Sequence, residues 1–232
     1  MLKKIRVAIA DDHQTIIDGY SFRLGRLDDI EIVATALFGD DIELVINQFK
    51  PHVLLLDVQM PTSAENNNPF PILHLIPKLL RSHPDLSICV ISMHNQETLI
   101  RAVMDTGASG YVLKDDQATL TELASVVRTL ARGGVHLSHR AYEIIARRKN
   151  DDINLPLSNR QLEALSLCSA YPDATLSELA ENMCIEPSTM RTMLSNTYLK
   201  LGVRTRAAAV EKARRLQVLV QPDPNPGLIS HL

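Results

Sequence analysis

Four apolar residues, Val53–Leu56, run straight into a carboxylate at Asp57. A short continuous apolar run reads as a strand buried on both faces, which implies a parallel sheet covered by helices. Three similar runs end in polar groups. Ile5–Ala10 ends at Asp11-Asp12, residues 87–91 end at Ser92, and Gly110–Leu113 ends at Lys114. Residues 30–36 make a fifth strand. Between the strands lie helical patterns over 14–25, 41–48, 72–81, 96–106 and 119–132. The last puts Leu120, Leu123, Val126, Val127 and Leu130 on one face. Pro77 is expected to kink the third helix. Five strands alternating with five helices predict an α/β, doubly wound, five-stranded parallel domain over residues 1–134.

The pattern then changes. Residues 135–155 read as a linker, with a short helix over 139–149 that ends in Arg147-Arg148-Lys149, and a turn at 150–152. Residues 156–220 read as a small all-α domain. Ser158 with Gln161, and Thr175 with Glu178, form capping boxes. Pro187 suits a first helical position, and Gly202 a helix stop. A final helix covers 206–216. The tail 221–232, with Pro222, Pro224 and Pro226, is expected to be disordered.

A helix, a short turn and a second helix outline a helix-turn-helix DNA reader. In the helix after Pro187, Met190, Leu194 and Leu201 fall at core spacing, while Arg191, Thr192 and Ser195 share another face. Arg191 suits a guanine edge or a phosphate, and Thr192 a thymine methyl. Thr189 and Lys200 suit phosphates.

Ligands of open parallel sheets bind outside the carboxyl ends of the strands. Asp11, Asp12, Asp57, Ser92 and Lys114 all belong to that edge. Clustered carboxylates repel unless a cation joins them, and hard oxygen ligands suit Mg²⁺. Lys114 balances remaining negative charge, and Ser92 can hydrogen-bond an oxyanion. His13 follows the acids, but imidazole is a poor Mg²⁺ ligand, so a hydrogen-bonding or packing role is expected.

These residues, with Met60-Pro61 after Asp57 and with Tyr111, resemble the receiver domain of two-component response regulators. The resemblance implies phosphoryl transfer from a sensor histidine kinase to Asp57. It implies that Asp12, Asp57 and the Gln59 carbonyl hold Mg²⁺, with Asp11 acting through the ion's water. Ser92 and Tyr111 are then a switch pair and Lys114 a phosphate clamp. Residues 157–165, Ser188-Thr189-Met190-Arg191, and 194–206 resemble the LuxR-type DNA-binding domain. Together the halves resemble NarL/FixJ-type regulators, which implies double-stranded DNA as partner. The long loop after Pro61 and residues 82–114 are similar to the RcsB branch. A homodimer is expected on phosphorylation, through the face of the fourth helix, fifth strand and fifth helix. Release of a recognition helix masked by the receiver is the competing mechanism.

Several features depart from that family. Residues 62–71 are polar and Pro-rich, excluding helix or core strand. Most receivers have a shorter, glycine-containing turn here. The segment reads either as a tolerated surface insertion or as a lid or partner-selecting loop. Met193 stands where the family commonly has histidine, and no glycine lies at Tyr171-Pro172-Asp173.

Charge names no partner: 24 Lys and Arg stand against 27 Asp and Glu. Residues 157–217 hold eight basic and six acidic side chains, a modest excess for a DNA-binding module. That favours, as an alternative, a phosphate sink or interaction co-regulator that binds DNA weakly. An aspartyl-phosphate phosphatase needs an acid two residues after its nucleophile; Gln59 cannot transfer a proton, so no enzyme is expected. No apolar run approaches the ~20 residues of a membrane span. The start of the chain meets Asp11-Asp12 too soon for a signal peptide. A cytoplasmic location is expected. Cys89, Cys168 and Cys184 lack metal-type spacing and are expected to be buried thiols.

Overall fold

The computed structural model describes residues 4–147 and 157–222. The apolar runs form β1 (Ile5–Ala10), β2 (Ile30–Ala36), β3 (Val53–Leu56), β6 (Ser87–Ser92) and β7 (Gly110–Leu113). They are joined with β8 (His136–Leu137) in one parallel sheet, in the order β2-β1-β3-β6-β7-β8. Helices α1 (Gln14–Leu24), α2 (Asp41–Phe49), α3 (Ile72–Ser82) and α4 (Glu97–Asp105) connect the strands. One apolar cluster joins α1 and α6 (Leu123–Ala131) to the sheet. The other lies under α2, α3 and α4 and runs without a break into the second domain.

The sheet has six strands, not five. The extra strand is β8 (His136–Leu137), from the predicted linker, paired parallel with β7. It is two residues long and pairs through backbone, so no side-chain alternation announces it. Gly110 makes the pairing possible: a Cβ there would lie 2.9 Å from the His136 carbonyl. Ser138 follows, and its Oγ accepts from Leu113 N. Helix α7 (His139–Arg147) then packs against α4 and β7, with Ala141 fully buried. The face expected to carry a dimer is thus covered by the chain's own linker. The rest of the basic run and the turn at 150–152 lie outside the described residues.

The helix expected over 119–132 is two, α5 (Gln117–Thr121) and α6 (Leu123–Ala131), broken at Glu122. Asp116 caps Thr119 N, which starts α5 early. The Thr121 hydroxyl bonds back to the Gln117 carbonyl, a pattern that bends helices. Helix α3 continues through Pro77.

The polar loop after Pro61 is not formless. It folds as a separate antiparallel hairpin of β4 (Pro61–Ser63) and β5 (Asn66–Pro69). Thr62 Oγ1 donates to the Asn68 carbonyl, and Gly39 N and Asp40 N donate to the carbonyls of Pro61 and Thr62. A Cβ on Gly39 would collide with the Phe70 ring at 2.0 Å, so that position seats the end of the hairpin.

The second domain is α8 (Asn159–Ala170), α9 (Leu176–Asn182), α10 (Pro187–Leu201) and α11 (Arg206–Arg215). Both capping boxes form, and Gly202 ends α10 with φ +66°. Helix α8 is buried from Gln161 to Ala170 because it lies between two partners. On one side are α3 and β5; on the other are α9, α10 and α11. Asn66 Nδ2 donates to the Ala170 carbonyl, so the hairpin is a contact between the domains. Cys89 and Cys168 are buried, but Cys184 is exposed, correcting the expectation of three buried thiols. It sits in the α9–α10 turn at φ +52°. The tail beyond 222 lies outside the described residues.

Candidate functional site

Register places the chemistry. Ala10 pairs with Leu56, Leu56 with Val90, and Ser92 with Leu113. The residues that follow therefore meet at one edge. Asp57 N donates to the Ala10 carbonyl, and Lys114 N to the Ser92 carbonyl.

Asp57 is 5% exposed and Asp11 2%. Lys114 Nζ lies 2.9 Å from Asp57 Oδ2 and 2.7 Å from Asp11 Oδ2, joining the two acids. Asp57 Oδ1 accepts a long bond of 3.4 Å from Gln59 N. Burial, then the neighbouring Asp57 charge, holds the Asp11 carboxyl above its ordinary value. Burial likewise raises Asp12. Burial lowers Lys114, but Asp57 and Asp11 outweigh it and its net shift is upward. Three carboxylates against one lysine leave an excess of negative charge at a nearly dry edge.

Asp11 and Asp12 offer carboxylate oxygens that, with a His13 nitrogen, lie within 4.8 Å of one another. His13 Nδ1 is 2.7 Å from Asp12 Oδ1, the hydrogen-bonding role expected of it. The oxygen donors fit a hard divalent cation, whose charge offsets the excess.

Ser92 is fully buried, and its Oγ accepts from His94 N at 3.0 Å. The Tyr111 hydroxyl donates to the His94 carbonyl at 2.8 Å. The Tyr111 ring is fully buried. His94 Nε2 also lies 3.1 Å from Gln59 Oε1. His94 thereby ties the Asp57 loop to both Ser92 and Tyr111. Sequence reasoning missed it, since its bonds to Ser92 and Tyr111 use its backbone atoms.

The family profile of the response regulator receiver domain matches residues 7–125, just over half of the chain. This chain belongs to the response regulator receiver family. The likeness extends past the receiver. Oxygen regulatory protein NreC of Staphylococcus carnosus (strain TM300) is 29% identical over 227 residues, covering 93% of this chain and 99% of that protein. NreC of Staphylococcus aureus (strain JH9) is 28% identical over 226 residues, with the same coverage. Among solved structures, RcsB of Salmonella enterica serovar Typhimurium, bound to promoter rprA with phosphomimetic BeF3−, superposes with a TM-score of 0.60. It is 24% identical, covering 90% of this chain and 98% of that one, and shares the fold. The isolated RcsB receiver is 26% identical with a TM-score of 0.54, over 62% of this chain and 99% of that one.

In the second domain of this response regulator, Met190, Leu194 and Leu201 are buried as expected. Thr189, Arg191, Thr192, Ser195 and Lys200 are all exposed on α10. The Thr192 hydroxyl donates to the Ser188 carbonyl, so its hydrogen bond stays within the helix. Lys200 Nζ donates to Gln161 Oε1 at 3.0 Å, inside the first capping box. Leu199, missed in the sequence, is 78% exposed beside them. No helix among the described residues is long and apolar enough to cross a membrane.

Proposed function

We propose that this chain is a phosphorylation-gated transcription regulator. Residues 1–134 act as receiver, 135–155 as linker, 156–220 as a LuxR-type DNA-binding domain and 221–232 as a tail. Asp57 is the phosphoacceptor, and a sensor histidine kinase is the donor. The observation that carries this reading is the buried Asp57 carboxylate, with Lys114 bridging it to Asp11.

A carboxylate oxygen of Asp57 attacks phosphorus, the P–N bond of the donor phosphohistidine breaks, and an acyl phosphate forms. Lys114 balances the charge of the phosphoryl oxygens, and the Ser92 hydroxyl donates its O–H to one of them. A Mg²⁺ ion held by Asp12, Asp57 and the Gln59 carbonyl, with Asp11 acting through the ion's water, would neutralise further charge on those oxygens. On the DNA side, Arg191, Thr192 and Ser195 address base edges, and Thr189 and Lys200 phosphates. RcsB, which shares the fold, is solved bound to promoter DNA with a phosphomimetic, and this supports DNA as the partner.

A small-molecule phosphodonor with Mg²⁺ should label the wild-type chain and leave Asp57→Asn unlabelled. Equal labelling of both would remove Asp57 from the role.

A further inference from the structure

Two arginines of α11 line a cavity without meeting an acid there. Arg206 opens the helix, and Arg214 stands near its end. They share the cavity, about 600 Å³ in volume, with Asn68 of the β4–β5 hairpin and Ser169 of α8. That size falls within the ~300–1,000 Å³ of small-molecule sites. Arg206 Nη1 donates to the carbonyls of Pro172 and Ala174. Arg214 Nη2 donates to Ser169 Oγ at 2.9 Å. Arg214 Nε is buried and has no hydrogen-bond partner.

Carbonyl and hydroxyl oxygens are neutral, so these bonds leave the positive charge of both guanidiniums uncompensated. A buried donor without a partner also carries its full desolvation cost. Glu211 lines the cavity too, but its Oε1 pairs with Arg215 Nε at 3.2 Å. Burial draws the Arg214 pKa down, and the Glu211 charge does not restore it. The chain as a whole carries a net charge of −3, so this local excess of positive charge is a property of the cavity. Its wall includes Ala207 in the first turn of α11. A helix start adds N–H donors and the positive end of its dipole. Ser169 accepts from Arg214, so its own O–H remains to donate.

We propose that this cavity is a binding site for a small multivalent oxyanion, a phosphorylated or polycarboxylate metabolite. Guanidinium groups match the oxygens of phosphate and carboxylate in geometry as well as charge. Arg214 supplies its unpaired Nε, Ser169 its O–H, and Arg206 a second positive charge. Asn68 belongs to the receiver and the other three to the second domain, so the ligand touches both halves of the chain. The site gives the regulator a chemical input of its own, apart from the phosphoryl group on Asp57.

The test is calorimetric titration of the full chain with pyrophosphate and with citrate, at low salt and without Mg²⁺. Wild type should bind at least one of the two, and the preference tells phosphate from carboxylate. Arg214→Gln keeps an amide donor for Ser169 and should weaken binding about ten-fold, the loss of one charge-assisted hydrogen bond. Ala207 is exposed, so Ala207→Glu leaves the core intact while setting a carboxylate at the cavity wall. It should weaken binding at least as much. Lys212→Gln removes the same charge from an exposed position of α11 outside the cavity, and should leave affinity unchanged. No binding of either probe by wild type at millimolar concentration overturns the site. So does unchanged affinity in both Arg214→Gln and Ala207→Glu, or an equal loss in Arg214→Gln and Lys212→Gln.

Discussion

Nδ1 of His74 lies 2.9 Å from Oε1 of Glu163, and the bond crosses from receiver to DNA-binding domain. Both residues are buried, at 5% and 3% exposure. Glu163 also accepts from Arg160 at 2.8 Å. Burial pushes the Glu163 carboxyl up, but the bonds from His74 and Arg160 outweigh it and leave it below its ordinary 4.5. A depressed carboxyl stabilises the folded chain above its unfolded value and loses that contribution as pH falls through the folded one. The stability difference between wild type and Glu163→Gln should therefore shrink below about pH 4.5. Urea titrations at several pH values read it; a difference independent of pH would argue against the pair.

Lys114 answers two buried acids. Removing one partner of a buried charge group leaves the others uncompensated, at about 3–5 kcal/mol. Lys114→Met should lose stability on that order without metal, and Mg²⁺ should restore part of it. Mg²⁺ should also raise the Tm of wild type, and do so much less for Asp12→Asn. Calorimetric scans with and without Mg²⁺ check both, and a Tm indifferent to Mg²⁺ would dismiss the cation site.

Arg191 and Lys200 should separate in their effects on DNA. Arg191→Ala is expected to weaken specific binding by ~1–3 kcal/mol and leave random DNA nearly unaffected. Lys200→Ala should weaken all sequences alike and lower the salt slope by about 1. Lys200 must first give up Gln161, so its loss should be the smaller. Fluorescence titrations across a salt series distinguish the two; equal losses for Arg191→Ala on both DNAs would make it a phosphate contact.

Helix α7 stands where a dimer was expected. Arg101 donates to the Ile145 carbonyl and Arg140 pairs with Asp115, pinning it beside α4. Ala141 of this helix is fully buried. Ala141→Arg should push α7 away and shift the chain toward dimer without any phosphomimetic, as sedimentation velocity would report. A variant that stays monomeric would move the dimer to another face. Simple unmasking explains less, because Arg191, Thr192 and Ser195 are already exposed.

Much of the receiver was legible because β1, β3, β6 and β7 are largely apolar runs that lead to Asp11, Asp57, Ser92 and Lys114. Asp11, Asp57, Ser92 and Lys114 needed only a parallel sheet to meet. The capping boxes and Gly202 marked the helices of the second domain equally well. What stayed hidden makes its bonds through backbone or across long separations. Strand β8 pairs by main chain alone, and His94 works largely through its own N–H and carbonyl. Glu163 reads as a solvated charge within its helix, and its partner lies 89 residues earlier. The triplet Val218-Leu219-Val220 was visible as an apolar end, but nothing local says that its cover is the receiver.

Strand β8 also has a protective side. An uncovered edge strand offers a row of unpaired N–H and C=O groups to any extended chain, and is a template for aggregation. In this response regulator β7 would be such an edge, and two linker residues close it. Any signal that lifts the linker opens a sticky border as well as a docking face.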